Sequence, residues 1–270
     1  MKSVLFHASN DDAIDARLQV ALDVCRAFGA HLTCLYATPY NAYVTFDPFG
    51  GIGAQGAILE DLRESETALR SRIEALLAHE DVQWDWRSVD GDVASNIVAA
   101  SALSDLVIVS QHCDPDKGLG RPLSIVNDVA VHAACAVLVV PKGVNQLQMG
   151  GSAVIGWNAS PEAAHAVRAA VPFLKTASFV HIASVGQEGE AFPQTDANAY
   201  LSRHGIASDL HELAGCNSNA AQVLHDFAVS KQAACLVMGA YGRSRLRETL
   251  LGGVTRSLLS ASKIPLLLAH

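Results

Sequence analysis

Two tandem α/β domains, each a doubly wound parallel sheet, are the fold the sequence predicts, and three observations predict it. Short apolar runs alternate with amphipathic stretches along the whole chain, the pattern of parallel strands joined by crossover helices. The pattern then restarts. SDLVIVSQ (104–111) answers ACLVMGAY (234–241), CAVLVVP (135–141) answers IPLLLA (264–269), and GDVASNIV (91–98) answers GCNSNAAQVL (215–224). Between the two runs lies KGVNQLQMGG (142–151), polar and glycine-bearing as linkers are. The expected domains are therefore 1–143 and 150–270.

In the first half, strands are expected at 4–6 and 31–37, with a helix between them capped by Asp11 and ended by Gly29. Residues 39–57 mix Pro39, Pro48 and four glycines with Tyr40, Tyr43, Phe46 and Phe49, and read as a long apolar loop, either a lid on its own domain or a partner surface or pocket cover. An amphipathic helix follows over 57–79, carrying Leu59, Leu62, Leu69, Ile73, Leu76 and Leu77. Strand 82–89, a helix opened by Asp92, strand 106–109, helix 124–134 and strand 137–140 complete the half.

In the second half, strand 153–156 leads to Ser160–Pro161, a cap followed by proline at the first helical position, with the helix running to 171. Strand 179–185, helix 196–203, strand 208–213, helix 219–230, strand 236–238, helix 252–261 and strand 264–268 follow. His181, on an apolar strand, reads as a hydrogen-bonded core histidine.

The chain is organised around CLVMGAYGRSRLRETLLGGVT (235–255). An apolar strand runs straight into Gly239 and Gly242, then Arg243, Arg245 and Arg247, then Gly252–Gly253 with Val254 and Thr255 opening a helix. Glycines let backbone turn tightly and approach a ligand closely. A helix start supplies unpaired N–H groups and a partial positive charge. The combination is an anion site, with phosphate the expected anion and Arg243 within reach of it.

Half of the 270 residues are hydrophobic and 17% are charged, ample for a packed core and incompatible with disorder. The net charge of −8 argues against a general nucleic-acid binder. No stretch has the length of a membrane span or the form of a secretory signal. The six cysteines are scattered, several in apolar runs, as expected of reduced thiols in a cytoplasmic protein. His112, Cys113, His132 and Cys135 lack the tight, repeated spacing of zinc sites, so no metal is expected there. No Walker-type GK[ST], paired carboxylates or Ser-His-Asp arrangement accompanies the glycine loop, so catalysis is expected to be at most slow hydrolysis.

The spacing G-x2-G-x9-G at Gly239, Gly242 and Gly252 resembles the nucleotide-binding signature of universal stress proteins, and the order of elements in each half is similar to that family. The chain thus resembles a tandem universal stress protein. The resemblance implies ATP, ADP or AMP as ligand, with or without Mg. Gly239 and Gly242 would wrap phosphates and ribose. Gly252, Gly253, Val254 and Thr255 would bind phosphate through backbone N–H groups and a hydroxyl. Asn158 stands where the family usually has Asp, Gly253 where it usually has Ser or Thr. Ile182 matches a position that contacts adenine through its backbone, and Met238 one that lines the pocket. In the first half the equivalent loop, SQHCDPDKGLGRPLS (110–124), lacks G-x2-G, so that half is expected to bind no triphosphate. The resemblance further implies that strands 137–140 and 264–268 pair within one chain, with a homodimer of chains beyond that. Three functions are carried forward: an ATP-binding stress-response module, a nucleotide-free scaffold, and a slow nucleotide hydrolase.

Overall fold

The computed structural model describes residues 1–38, 52–111, 125–186, 193–216, 218–240 and 253–270. In chain order the first half has β1 (Ser3–His7), α1 (Ile14–Phe28), β2 (His31–Thr38), α2 (Ile52–Leu77), β3 (Trp84–Asp90), α3 (Val93–Ser101), β4 (Leu106–Ser110), α4 (Ile125–His132) and β5 (Ala136–Val140). The second has β6 (Ala153–Gly156), α5 (Pro161–Leu174), β7 (Val180–Val185), α6 (Gln194–Arg203), β8 (Ser208–Leu213), α7 (Ala220–Ser230), β9 (Cys235–Gly239), α8 (Gly253–Ala261) and β10 (Leu266–Ala269).

Strands rich in Val, Ile and Leu on both faces need cover on both sides, and the helices divide to supply it. Buried residues of α1, α2, α5 and α6 form one core layer, while those of α3, α4, α7 and α8 form the other. Among the described residues ten strands form one sheet, in the order β3-β2-β1-β4-β5-β10-β9-β6-β7-β8. Every neighbouring pair is parallel except β5 and β10, which run antiparallel with Leu138 opposite Leu267. The two expected sheets are therefore one. All residues of β5 and β10 are buried, so the seam between the halves is as apolar as either core. Gln111, just past β4, adds a cross-half bond by donating from Nε2 to the Leu258 carbonyl at 3.4 Å.

The pairing 137–140 with 264–268 is thus seen, with β10 beginning two residues later than expected. Gly29 ends α1 in the left-handed conformation, φ 55°, with the Ala30 N–H returning to the Cys25 carbonyl. Asp92 caps α3 and Ser160 caps α5, each accepting from the N–H three residues on.

Some expectations need correcting. Asp11 does not cap α1. The cap position falls at Ala13, whose N–H Asp11 accepts, and the carboxylate is turned toward Arg17. α2 begins at Ile52 rather than 57, because glycines at 53 and 56 lower helix propensity by only about 1 kcal/mol each. Residues 39–51 of the expected apolar loop lie outside the described residues. α5 runs through Pro172 to Leu174, three residues beyond its expected end. A proline in a helix costs about 3 kcal/mol, but burying Phe173 and Leu174 returns roughly 1.5–3 kcal/mol each. The linker is not purely polar either. Leu147 is buried in the core, and its N–H donates to Asp23 at 2.9 Å. Among the described residues no helix is long and apolar enough to cross a membrane.

Candidate functional site

In the second half the strand order reverses at β6, which has β9 on one side and β7 on the other. A crevice at the carboxyl ends of such strands is where open α/β sheets place their ligands. Asn158 stands exposed there, two residues beyond β6. Its Oδ1 accepts the Ser160 N–H at 3.2 Å, and the Ser160 hydroxyl in turn accepts the Ala163 N–H at 3.1 Å. Between them Ala159 sits at φ 56°, a left-handed conformation costing roughly 1–2 kcal/mol outside glycine. The turn is held by these two side-chain bonds. It occupies one of the two lone pairs of the Asn158 oxygen and leaves the amide nitrogen as a donor.

Gly239 ends β9, and its lack of a side chain has a cause within the protein. A Cβ there would lie 2.6 Å from both the Ala163 nitrogen and the Glu162 carbonyl carbon. The amino end of α5 rests directly on this backbone. Met238, buried, lies opposite Gly156. Gly253 opens α8, is exposed, and a Cβ on it would meet nothing within 4 Å among the described residues. Val254 is half-buried and Thr255 buried. The first-turn N–H groups of α8 have no intrahelical partner, so they offer donors to an anion. Gly242, Arg243 and Gly252 lie outside the described residues.

Ile182 is at mid-strand in β7, fully buried, paired with Ile155 on β6 and Leu210 on β8. Successive residues of a parallel strand direct their main-chain groups to opposite neighbours. Ala183 accepts from the Trp157 N–H, so it faces β6, whereas Gly186 donates to Leu213 and faces β8. Ile182 therefore faces β8, away from the switch. Val185 faces β6 at a level where β6 has already ended. The structure brings Val185, not Ile182, to the crevice edge. Ile182 is assigned from the family resemblance, which does not carry the register that decides which neighbour a main chain faces.

The first half fills the corresponding place. Register puts His7 where the second half has Gly156 and Ser110 where it has Gly239, and the matching burial patterns of α1 and α5 align Arg17 with Ala166. Arg17 has no exposed side-chain surface. It donates from Nε to the His7 carbonyl at 3.2 Å and from Nη1 to the Ser110 hydroxyl, and pairs with Asp11 at 3.1 Å. Its guanidinium carbon lies 5.4 Å from the centre of the Phe6 ring. Burial, reinforced by the Arg17 charge, pushes the His7 imidazole down to about 3, so it is neutral at physiological pH. Burial alone would raise the Asp11 carboxyl, but hydrogen bonds and charge from Arg17 outweigh it and hold the carboxyl below its usual range. The available signal was an arginine on the buried stripe of α1, between Ile14 and Leu18.

Of the residues considered for zinc, His132 ends α4 and Cys135 precedes β5, while His112 and Cys113 lie outside the described residues. His181 shares a hydrogen bond with His211, as its reading requires, but is half-buried at the margin of the core. Cys25, Cys34 and Cys235 are buried, and burial pushes each of their thiols up to about 12.

Residues 152–270 match the model of the universal stress protein family. No curated protein matches the sequence. Among solved structures, a universal stress protein from Archaeoglobus fulgidus is similar with TM-score 0.75 and 14% identity, covering 98% of this chain and 97% of that one. A functionally unknown protein from Pseudomonas aeruginosa is similar with TM-score 0.61 and 15% identity, covering 100% of this chain and 92% of its own. Both likenesses run across the seam, and at these identities they speak to the fold.

Proposed function

We propose that this chain is a tandem universal stress protein of the cytoplasm. In this reading 150–270 is the domain that binds an adenine nucleotide, and 1–143 is a structural copy that binds no triphosphate. The observation that carries it is the family match of residues 152–270, a segment containing Asn158, the glycine loop and the amino end of α8. The nucleotide is ATP, or ADP or AMP, with Mg joining the phosphates. Its phosphates would lie against the N–H groups of Gly252, Gly253, Val254 and Thr255, with Arg243 alongside and Gly239, Gly242 and Met238 shaping the loop. The base would meet the carboxyl end of β7, where Val185 supports the role first assigned to Ile182. Binding would act as a conformational signal in a stress response. Turnover is at most slow, because positioning without a base does not make an efficient hydrolase.

Isothermal titration of the full chain with ATP, ADP and AMP, with and without Mg, tests this. One site per chain is expected. Gly252→Val blocks backbone approach and abolishes binding. Two sites per chain, or unchanged affinity in Gly252→Val, would overturn the assignment.

Two observations favour a second reading, a nucleotide-free scaffold that works through protein contacts: the oxygen of Asn158 already accepts a bond within its own turn, and Thr255 is buried. Fresh protein that releases no nucleotide, and shows no thermal shift in excess ATP, selects this reading. The β5–β10 seam is already occupied, so a homodimer of chains would need another surface, and sedimentation reads whether one forms.

A further inference from the structure

On the outer edge of the second half, β8 carries Asp209 and His211 two residues apart, hence on one face. The register sets His181 of β7 beside Asp209. All three side chains therefore leave the same face of the sheet. Their ligand atoms lie within 4.8 Å of one another, and His181 Nδ1 is 3.0 Å from His211 Nε2. A tetrahedral ion with bonds of 2.0–2.1 Å spaces its ligands by about 3.3 Å, close to this arrangement. We propose that His181, Asp209 and His211 form a binding site for a divalent transition-metal ion, with zinc the best match to two imidazoles and a carboxylate.

The surroundings suit ligation. The half-buried imidazoles sit among aromatic rings, with Phe179 4.9 Å from His181 and Phe227 of α7 4.9 Å from His211, centre to centre. Burial first, then the Lys231 charge, holds both imidazoles below their ordinary pKa. Lys231 rises from the end of α7, its ammonium 5.3 Å from the Phe227 ring, and opposes a cation, whereas the exposed Asp209 carboxylate attracts one. Three protein ligands leave a position for water, as at open rather than closed zinc sites. The site is separate from the crevice. His181 lies four residues before Val185, about 13 Å along the strand.

The first half supplies a contrast. At the same register Thr33 and Asp85 are joined by a hydrogen bond of 2.8 Å, and Arg87 stands where the second half has His211. The donor set exists in one copy only.

Titration of the metal-free full chain with Zn2+ and Co2+ tests the proposal. One equivalent is expected. The Co2+ form should show the visible bands of a tetrahedral N/O site without a thiolate charge-transfer band. His181→Ala and His211→Ala should each weaken Zn2+ binding by roughly 100-fold or more, exceeding the 10–100-fold typical of losing an outer-shell partner. His211→Gln, which keeps a polar side chain, serves as the check on folding, with circular dichroism unchanged and binding equally weakened. The absence of saturable binding overturns the site, as does wild-type affinity in the histidine variants or a thiolate band that assigns the ion to cysteines.

Discussion

The two halves share a sheet and a register yet treat the same place in opposite ways. Where β1 and β4 end, the first half stations a buried arginine among His7, Asp11 and Ser110. Where β6 and β9 end, the second half has Gly156, Gly239 and Ala166, with no side chain larger than a methyl at the three matching positions. The lesson is that a crevice at a switch point is an opportunity given by topology. Whether it is used depends on what three or four residues put there.

The largest test of this contrast is Arg17→Ala. It empties the space of a fully buried side chain, orphans the Ser110 hydroxyl and unpairs the partly exposed Asp11 carboxylate, so the chain should lose about 3–5 kcal/mol in chemical denaturation. Titration of the variant should still find no nucleotide in the first half. Binding there would mean that the arginine alone separates the copies.

In the second half the matching test is Gly239→Ala. The added Cβ meets backbone of α5 at 2.6 Å, and rigid overpacking of this kind should destabilise by about 3 kcal/mol. A stability loss without any ligand present would establish that Gly239 serves the protein's own packing. An unchanged midpoint would return it to a purely ligand-facing role.

His7 makes the contrast readable by pH. Its imidazole falls from 6.5 to about 3 on folding, so below pH 6.5 the unfolded chain takes up a proton that the native chain refuses. Stability therefore declines as pH drops, by about 1.4 kcal/mol per unit, until pH approaches 3. Between pH 6.5 and 5 this amounts to roughly 2 kcal/mol. His7→Asn should remove that share of the slope, measured as the difference between the two unfolding curves. The second half has Gly156 at this position and contributes no counterpart.

The smallest expected effect sharpens the site itself. No described atom lies within 4 Å of a Cβ at Gly253, and one serine hydroxyl bonded to a charged phosphate should tighten ATP by about tenfold, or roughly 1.4 kcal/mol. Gly253→Ser with unchanged affinity would place the phosphates elsewhere.

The comparison also explains what could be read before the fold was known. Apolar runs bounded by glycine and proline located the strands, and the pairing of the two last strands followed from family resemblance. Caps at Asp92 and Ser160 were legible because their chemistry is local. The crevice edge was not. Ile182 and Val185 differ in which neighbour their main chain faces, a property of register that side-chain identity does not encode. The arginine plug was hidden for a related reason. Arg17 looks like an ordinary helical charge until β1 and β4 are brought beside it. The cluster at His181, Asp209 and His211 required two strands to be aligned before its members met.

The antiparallel seam has one more consequence. Two separate copies meeting through their last strands would carry every substitution twice and would come apart on dilution. Joined in one chain, the halves hold together at any concentration, and a residue can change on one side without changing on the other. Such freedom is what lets a cation fill one crevice where the other copy has only glycine and alanine.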